Sequence, residues 1–561
     1  MPSHSSHVPI QGSEYVGLPG ASAIGPTDPS KEINVTIVVQ PRRPASELHI
    51  DEALAGRLPR DRRHLSREDF ETHHGAHPDT LAEVERFGRL HGFKILETSA
   101  ARHCVVLHGR AGDFSKVFHV EMIDYHHERG QHRGITGPIH LPQELAGCVE
   151  NVLGLHDRPC ARRHMPATGV KKQRRTAFSA HDIAEFYRFP KHATGKGQCI
   201  GVIELGGGYY KSDLENLFSS LKMPMPKITD VSVEGAKNAP ADYARLAGFV
   251  TALTSGKSIA KKAANSAARH ATELAMSTTE TTMDVELVAA LAPEAHIVVY
   301  FAPNTEQGIY AALTTALADK HNRPSVLSLS WGEPEPNLSP KYAELIDGVL
   351  KNLANVGVTV CVSSGDFGAH NGVAGDLSVN FPASSPYALG CGGTTLKAAG
   401  SKVEGEVVWN SVFDGMRGAS GGGVSRIFAR PQWQQDFKLP QCASKTGGRG
   451  VPDVAAVADP ETGCHIVVGG VDTVSSGTSA AAPLWAAFVA RLNHALGANS
   501  GYLNSLFYKL ATRSKDSGAF RPITHGENGA YRAGPGWNAC TGLGSPLGDR
   551  LLEALDARKS H

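Results

Sequence analysis

A serine and a pair of carboxyls are the residues of this chain best suited to chemistry. Ser479 closes the string Ser476-Gly477-Thr478-Ser479, which runs into three alanines and Pro483. Small neighbours let a substrate backbone approach a hydroxyl at the head of a helix, and proline is tolerated in a first turn. Far upstream, Glu280 and Asp284 stand four residues apart, a spacing that puts both on one helical face. Carboxyls in contact cannot easily both ionise, so they share a proton and their titrations separate. A carboxylate base also remains available in acid, where an imidazole would already be protonated. Serine is a common helix cap, and an isolated Glu-x3-Asp is ordinarily two solvated acids. Here the acids lead into VELVAALAPEAHIVVYFAP, a buried helix running into a core strand, which argues against simple solvation.

No histidine offers itself as the serine's partner. The HGTxVAG string that subtilisin-like proteases need is absent, and His74-Gly75 and His91-Gly92 lack its continuation and lie in the amino-terminal part. The ordinary Ser-His-Asp reading therefore fails.

The chain of 561 residues is too long for one ordinary core, so two or more domains are expected. With 56 basic and 55 acidic side chains there is no electrostatic case for nucleic acid or an anionic membrane. No apolar run approaches the length of a bilayer span. Residues 1–30 are polar, lack the apolar segment of a secretory signal, and read as a disordered lead. Nine cysteines without a CxxC pair define neither a disulfide framework nor a zinc ribbon. Of 27 histidines, 17 precede residue 177, yet HExxH is absent. The pairs His73-His74 and His126-His127 are thus expected to be solvated rather than metal ligands.

Strand and helix patterns alternate over residues 31–157. Lys31 to Gln40 reads as a strand, SREDFETHHG and PDTLAEVERFGRLHG as helices, then KILETSA, HCVVLHG and VEMIDYH as strands around a short helix. QELAGCVENVLGL is predicted to close this α+β unit as a helix. Residues 158–178 carry prolines and a basic cluster, the composition of a linker that is either a solvated tether or a processing site. From 179 to 561 the apolar runs Cys199–Leu205, His296–Ala302, Ser325–Trp331 and Val358–Ser364 are mostly separated by helical stretches, as in a parallel sheet covered on both faces. Residues 252–279 read as a weakly packed helical insertion.

At this level the chain resembles the sedolisins, the serine-carboxyl peptidases, and most closely their kumamolisin branch. The likeness rests on many strings in one order, among them QCIGVIELGGGY, DVELVAALAPEA, SLSWG, SSGDFG, FPASSPYALGCGGT, GTSAAAP and AGPGWNACTGLGSP. It implies a subtilisin-like parallel-sheet peptidase domain preceded by a ferredoxin-like propeptide that is removed in acid. It further implies that Ser479 is the nucleophile, Glu280 the general base and then acid, and Asp284 the acid that orients Glu280. Asp366 would complete the oxyanion hole in its protonated form, and Glu204 and Trp331 would extend the acid network. Polypeptides would be the substrates, the propeptide an intramolecular inhibitor, the protein a monomer and its location extracellular.

The family pattern is broken in two places. Sedolisins usually bind calcium near the carboxyl end through an aspartate in an Asp-[Ile/Val] pair and another after GPGW. Pro522-Ile523 and Asn538 stand there, with Gly534 and Gly536 still able to offer carbonyls, so Ca2+ binding is expected to be weak or absent. Asn380 replaces a pocket aspartate of some kumamolisins, which puts a preference for basic substrates in question. Competing readings are a non-catalytic peptide-binding member of the fold, a tripeptidyl exopeptidase, and a metal hydrolase, the last disfavoured by absent ligand spacing.

Overall fold

A computed structural model describes residues 7–44, 50, 54, 56–163, 176–255, 266–400, 402–413, 416–441, 447–513 and 518–556. The amino-terminal unit is a four-stranded antiparallel sheet made of β1 (Glu32–Val39), β2 (Lys94–Ser99), β3 (Cys104–Arg110) and β4 (Val149–Leu153). Its spatial order, β2-β3-β1-β4, is that of a ferredoxin-like split βαβ fold. Helices α1 (Arg67–His74) and α2 (Pro78–Leu90) lie between the first two strands, and α3 (Ala111–Phe118) follows β3. Ser66 caps α1 by accepting the Asp69 amide, and of the four residues at helical spacing on α2, Leu81, Val84 and Phe87 turn inward while Leu90, at the helix end, is exposed.

Three expectations for this region are overturned. The helix expected over 143–155 is instead the strand Val149–Leu153, whose apolar, partly β-branched run pairs antiparallel with β1. The lead expected to be disordered contains His7–Pro9, paired with residues 140–142, and Ser22–Pro26, paired with residues 123–126. Backbone pairing, not side-chain burial, holds these polar strands, which is why composition conceals them. His74 and His127 are buried rather than solvated, and no cluster of metal-ligating side chains occurs among the described residues.

The larger unit is built on an eight-stranded sheet. Its path runs Lys227–Ser232, His296–Phe301, β5 (Cys199–Glu204), β6 (Val326–Leu329), β7 (Thr359–Ser363), then Leu389–Ala399. Those six pair in parallel, and Val454–Val457 joins the first half of the last one, also in parallel. Lys402–Val408 closes the edge antiparallel. The strand order reverses direction between β5 and β6, so a crevice opens beyond their carboxyl ends. Two long helices cover one face: α4 (Ser266–Leu291) and α5 (Thr478–Leu496), both heavily buried. Glu306–Ala318 and Pro340–Asn355 pack on the opposite face. Among the described residues no helix is long and apolar enough to cross a membrane.

The excursion at 252–279 differs from expectation. Tyr243–Thr254 is a helix, residues 256–265 lie outside the described residues, and α4 begins at Ser266. Glu280 is therefore in the interior of a long helix rather than at its head, and Ala275, Met276, Thr278 and Thr279 just before it are already buried.

Candidate active site

Ser479 is fully buried at the second position of α5, directly beneath the crevice. The local backbone explains the motif. Gly477 caps the helix with φ of +81°, and a Cβ there would meet the Asp366 Oδ2 atom at 2.3 Å, so only glycine fits both conformation and space. Pro483 lies one turn deeper than the first-turn position expected of it. Lacking an N–H, it leaves the Ser479 carbonyl without its i+4 donor. The Ser330 hydroxyl, just beyond β6, donates to that carbonyl at 3.2 Å.

Ser330 also joins the serine to the acid helix. A Ser330 hydroxyl has one proton, and its contact with Asp284 Oδ2 at 2.5 Å is the shorter of its two. A protonated Asp284 can donate across that contact and free the Ser330 proton for the Ser479 carbonyl. In return, Ser479 Oγ donates to the Ser330 carbonyl at 3.4 Å. Glu280 and Asp284 are both fully buried on α4, one turn apart. Glu204, at the carboxyl end of β5, accepts from Thr281 Oγ1 at 3.0 Å and from Trp331 Nε1 at 3.2 Å. Asp366 follows β7 and accepts the Thr478 amide at 2.7 Å and the Thr478 hydroxyl at 2.8 Å, both on Oδ1. Its Oδ2 makes no hydrogen bond among the described residues.

The electrostatics of these acids have one sign. Burial pushes Glu204 well above the usual carboxylate range, and neighbouring Glu280 adds to it. Asp284 is raised by burial and then by Glu204 and Glu280. Asp366 is raised chiefly by burial, against two hydrogen bonds from Thr478, with Glu280 again contributing. Glu280 is thus the carboxyl common to the other three. Crowded acids in a dry site hold protons that solvated acids would lose.

The six residues singled out for chemistry come together in one buried cluster: Glu204, Asp284 and Asp366 each feel the charge of Glu280, Trp331 donates to Glu204, and Ser479 reaches Asp284 through Ser330. Ser330, Thr478 and Thr281 escaped the sequence reading, because a single hydroxyl residue carries no pattern of its own. Pro483 was the available clue to Ser330, since it orphans the carbonyl that Ser330 serves.

These strings and this geometry have counterparts. Residues 19–158 match the family model described as "Pro-kumamolisin, activation domain", and residues 251–505 match "Subtilase family". Kumamolisin of Bacillus sp. (strain MN-32) is 40% identical over 556 residues, spanning 96% of this chain and 94% of its own. The chain belongs to the sedolisin family. It is a serine-type peptidase of the kumamolisin kind that carries its activation domain. Sedolisin of Pseudomonas sp. (strain 101) is 26% identical, covering 82% of this chain and 76% of its own. The solved structure of a Pseudomonas sedolisin, titled a serine-carboxyl proteinase in complex with pseudo-iodotyrostatin, shares the fold. That comparison gives a TM-score of 0.57 at 22% identity and covers 69% of this chain and 99% of the other. The activation-domain match starts inside the stretch read as a lead, in keeping with the strand at Ser22–Pro26.

The family's calcium ligands have no fit here. Asn538 Nδ2 donates to the Ile523 carbonyl at 3.3 Å, turning a donor toward an oxygen that would face a cation. Asn538 Oδ1 accepts from the Cys540 and Thr541 amides and the Thr541 hydroxyl, at 3.1, 3.0 and 3.1 Å. Pro522 supplies no side-chain oxygen, and Gly534 and Gly536 supply none beyond their carbonyls. An amide has taken the place of the charge that a hard cation needs.

The propeptide and linker close over the crevice. Arg158 is buried and donates to the Asn337 carbonyl at 2.6 Å, and Asn304 holds the Ala161 backbone by both its amide and its carbonyl. Arg162 and Arg163 then pair antiparallel with Gly332 and Trp331. The start of the supposed tether is thus a docked strand. Residues 164–175, the centre of the basic cluster, lie outside the described residues, and Thr176 is next found bonded to the Glu461 carbonyl.

Proposed function

We propose that this sedolisin-family zymogen is an acid-acting endopeptidase that processes itself. Ser479 Oγ attacks the scissile carbonyl as its proton passes to Glu280, and a bond forms between Oγ and the carbonyl carbon. Asp284, held by Ser330, orients Glu280 and shares its negative charge, with Glu204 and Trp331 behind it. Asp366, protonated, donates from Oδ2 to the oxyanion. Glu280 returns the proton to the leaving amine as the carbon–nitrogen bond breaks. Water then enters, giving a proton to Glu280, and the acyl-enzyme is hydrolysed by the reverse exchange.

One observation carries this reading: Ser479 is tied through Ser330 to Asp284 on the acid helix, and burial with its neighbours Glu204 and Glu280 holds that carboxyl well above the usual range. A preceding chain occupies the crevice on the amino side, paired with residues 331–332, which favours cleavage within a chain over removal of amino-terminal tripeptides. Export from the cell is expected of a peptidase made for acid surroundings. The test is hydrolysis of an internally quenched peptide across the pH range. Wild type should be most active below the histidine range, while Ser479→Ala and Glu280→Gln each lose about 10^4-fold in kcat/KM. Undiminished activity of either variant would remove the mechanism.

A further inference from the structure

We infer that Glu333 forms a substrate subsite that selects a basic side chain, with the propeptide's own arginines as its resident occupants. The strand Trp331–Pro334 has two neighbours: Asn380–Phe381 on one side and linker residues Arg162–Arg163 on the other. The linker position is therefore where an extended polypeptide adds to a sheet edge, with backbone pairing setting the register and side chains setting the choice. Arg162 stands opposite Gly332, and its Nε lies 3.3 Å from Glu333 Oε1. A second cation, Arg129 of the propeptide, reaches Glu333 Oε2 at 3.2 Å. Asn337 Nδ2 donates to Oε1 at 2.6 Å and fixes the carboxylate from below.

Arg129 and Arg162 both precede residue 164, so both leave with the propeptide when the linker is cut beyond that point. Glu333 then keeps Asn337, and a carboxylate with its cations gone faces the position an incoming chain must take. A substrate cation placed there re-forms the ion pair the linker made; burial raises Glu333 above the usual carboxylate range even beside its arginines, so this gain is largest at pH values where Glu333 is ionised. Strand geometry fixes which substrate residue this is. Ser479 Oγ lies 3.4 Å from the Ser330 carbonyl, so the residue opposite Ser330 precedes the scissile bond. The residue opposite Gly332 lies two further toward the amino end, the third from the bond. Lysine serves as well as arginine, because its ammonium lies one atom beyond the Nε position that already makes contact.

This inference rests on the crevice being the catalytic site. Its test uses the mature enzyme, released from the full chain by acid, and four peptides that differ only at the third residue before the bond: Arg, Lys, Gln or Glu. Wild type should cleave the Arg and Lys peptides about tenfold better in kcat/KM than the Gln peptide, and the Glu peptide worst of all. Glu333→Gln should bring the Arg-to-Gln ratio close to one, and Glu333→Lys should favour the Glu peptide. Equal cleavage of all four by wild type would overturn the subsite, as would an Arg preference that survives in Glu333→Gln. The wild-type series alone decides the matter if the variants fail to mature. If wild type cleaves none of the four at any pH, it is the peptidase reading that fails instead.

Discussion

Carboxyls do opposite things in two regions of this molecule. In the crevice, Glu204, Asp284 and Asp366 are buried beside one another, and burial with like charge raises all three. At the propeptide interface Glu306 is just as enclosed. Burial pushes it upward too, but His156 at 3.3 Å and Arg158 at 3.6 Å outweigh that and hold it below the usual range. One set of acids is kept neutral by its neighbours and the other is kept charged. Acidification therefore leaves the crowded acids protonated, while Glu306 loses its charge only once pH falls through its lowered value. The split arises from whether a carboxyl's nearest neighbours are acids or bases, and it is what the proposed acid-triggered zymogen would use.

The sign of each effect follows from linkage. Asp366 has a raised value, so its donor proton is present below that value and lost as pH rises through it. Glu306 has a lowered value, so its share of docking is present above the ordinary carboxylate range and lost as pH falls through the lowered value. His64 is lowered mainly by burial against the larger unit, where its Nε2 lies 3.3 Å from the Asn499 carbonyl. Its share is present above the ordinary histidine range and lost as pH falls toward the lowered value. His103, held down to about 4 by burial, adds a cost to the propeptide fold over the interval from about 6.5 to 4.

The largest effect should come from the crevice side of this contrast. Asp366→Ala should lower kcat by about 10^2–10^3-fold. Asp366→Asn keeps a donor that cannot ionise, so it should recover part of that loss and flatten the alkaline limb of the pH–rate profile. An unchanged alkaline limb would mean that Asp366 is not the titrating donor. On the interface side, Glu306→Gln leaves Arg158 buried without its anion, which should weaken docking by about 3 kcal/mol. Self-processing, followed by gel or mass, should then begin at higher pH than in wild type. His64→Gln should act in the same assay more gently, shifting the midpoint downward and broadening the transition, since one group whose protonation loosens docking is gone. The smallest effect concerns calcium. Melting temperature should be the same within about one degree in excess calcium and in chelator, whereas Asn538→Asp should acquire a calcium-dependent rise.

Much of the candidate site was legible in the sequence because its residue types are unusual in combination. A glycine-framed serine before a small-residue helix, together with two acids a turn apart ahead of an apolar run, suits little besides acid-assisted serine chemistry. Asp366 was legible only through family resemblance, since an aspartate between glycines reads as a turn. Ser330 and Thr478 were not legible, because their work is defined by partners between 46 and 149 residues away. The parallel strands announced themselves by apolar runs, while Ser22–Pro26, an exposed strand held by pairing, did not, and the short buried run Val149–Leu153 could not be told from a helix by its pattern. Glu333 shows the same limit: its meaning lies in the arginines brought to it from elsewhere in the chain.

The most direct test of the central claim, that carboxyls rather than an imidazole activate Ser479, is the mass of the purified full chain held at about pH 4, below the histidine range. Wild type should shorten by loss of everything amino-terminal to a cut between residues 160 and 180, while Ser479→Ala and Glu280→Gln stay at full length under the same conditions. Shortening of either variant at the wild-type rate would contradict the account.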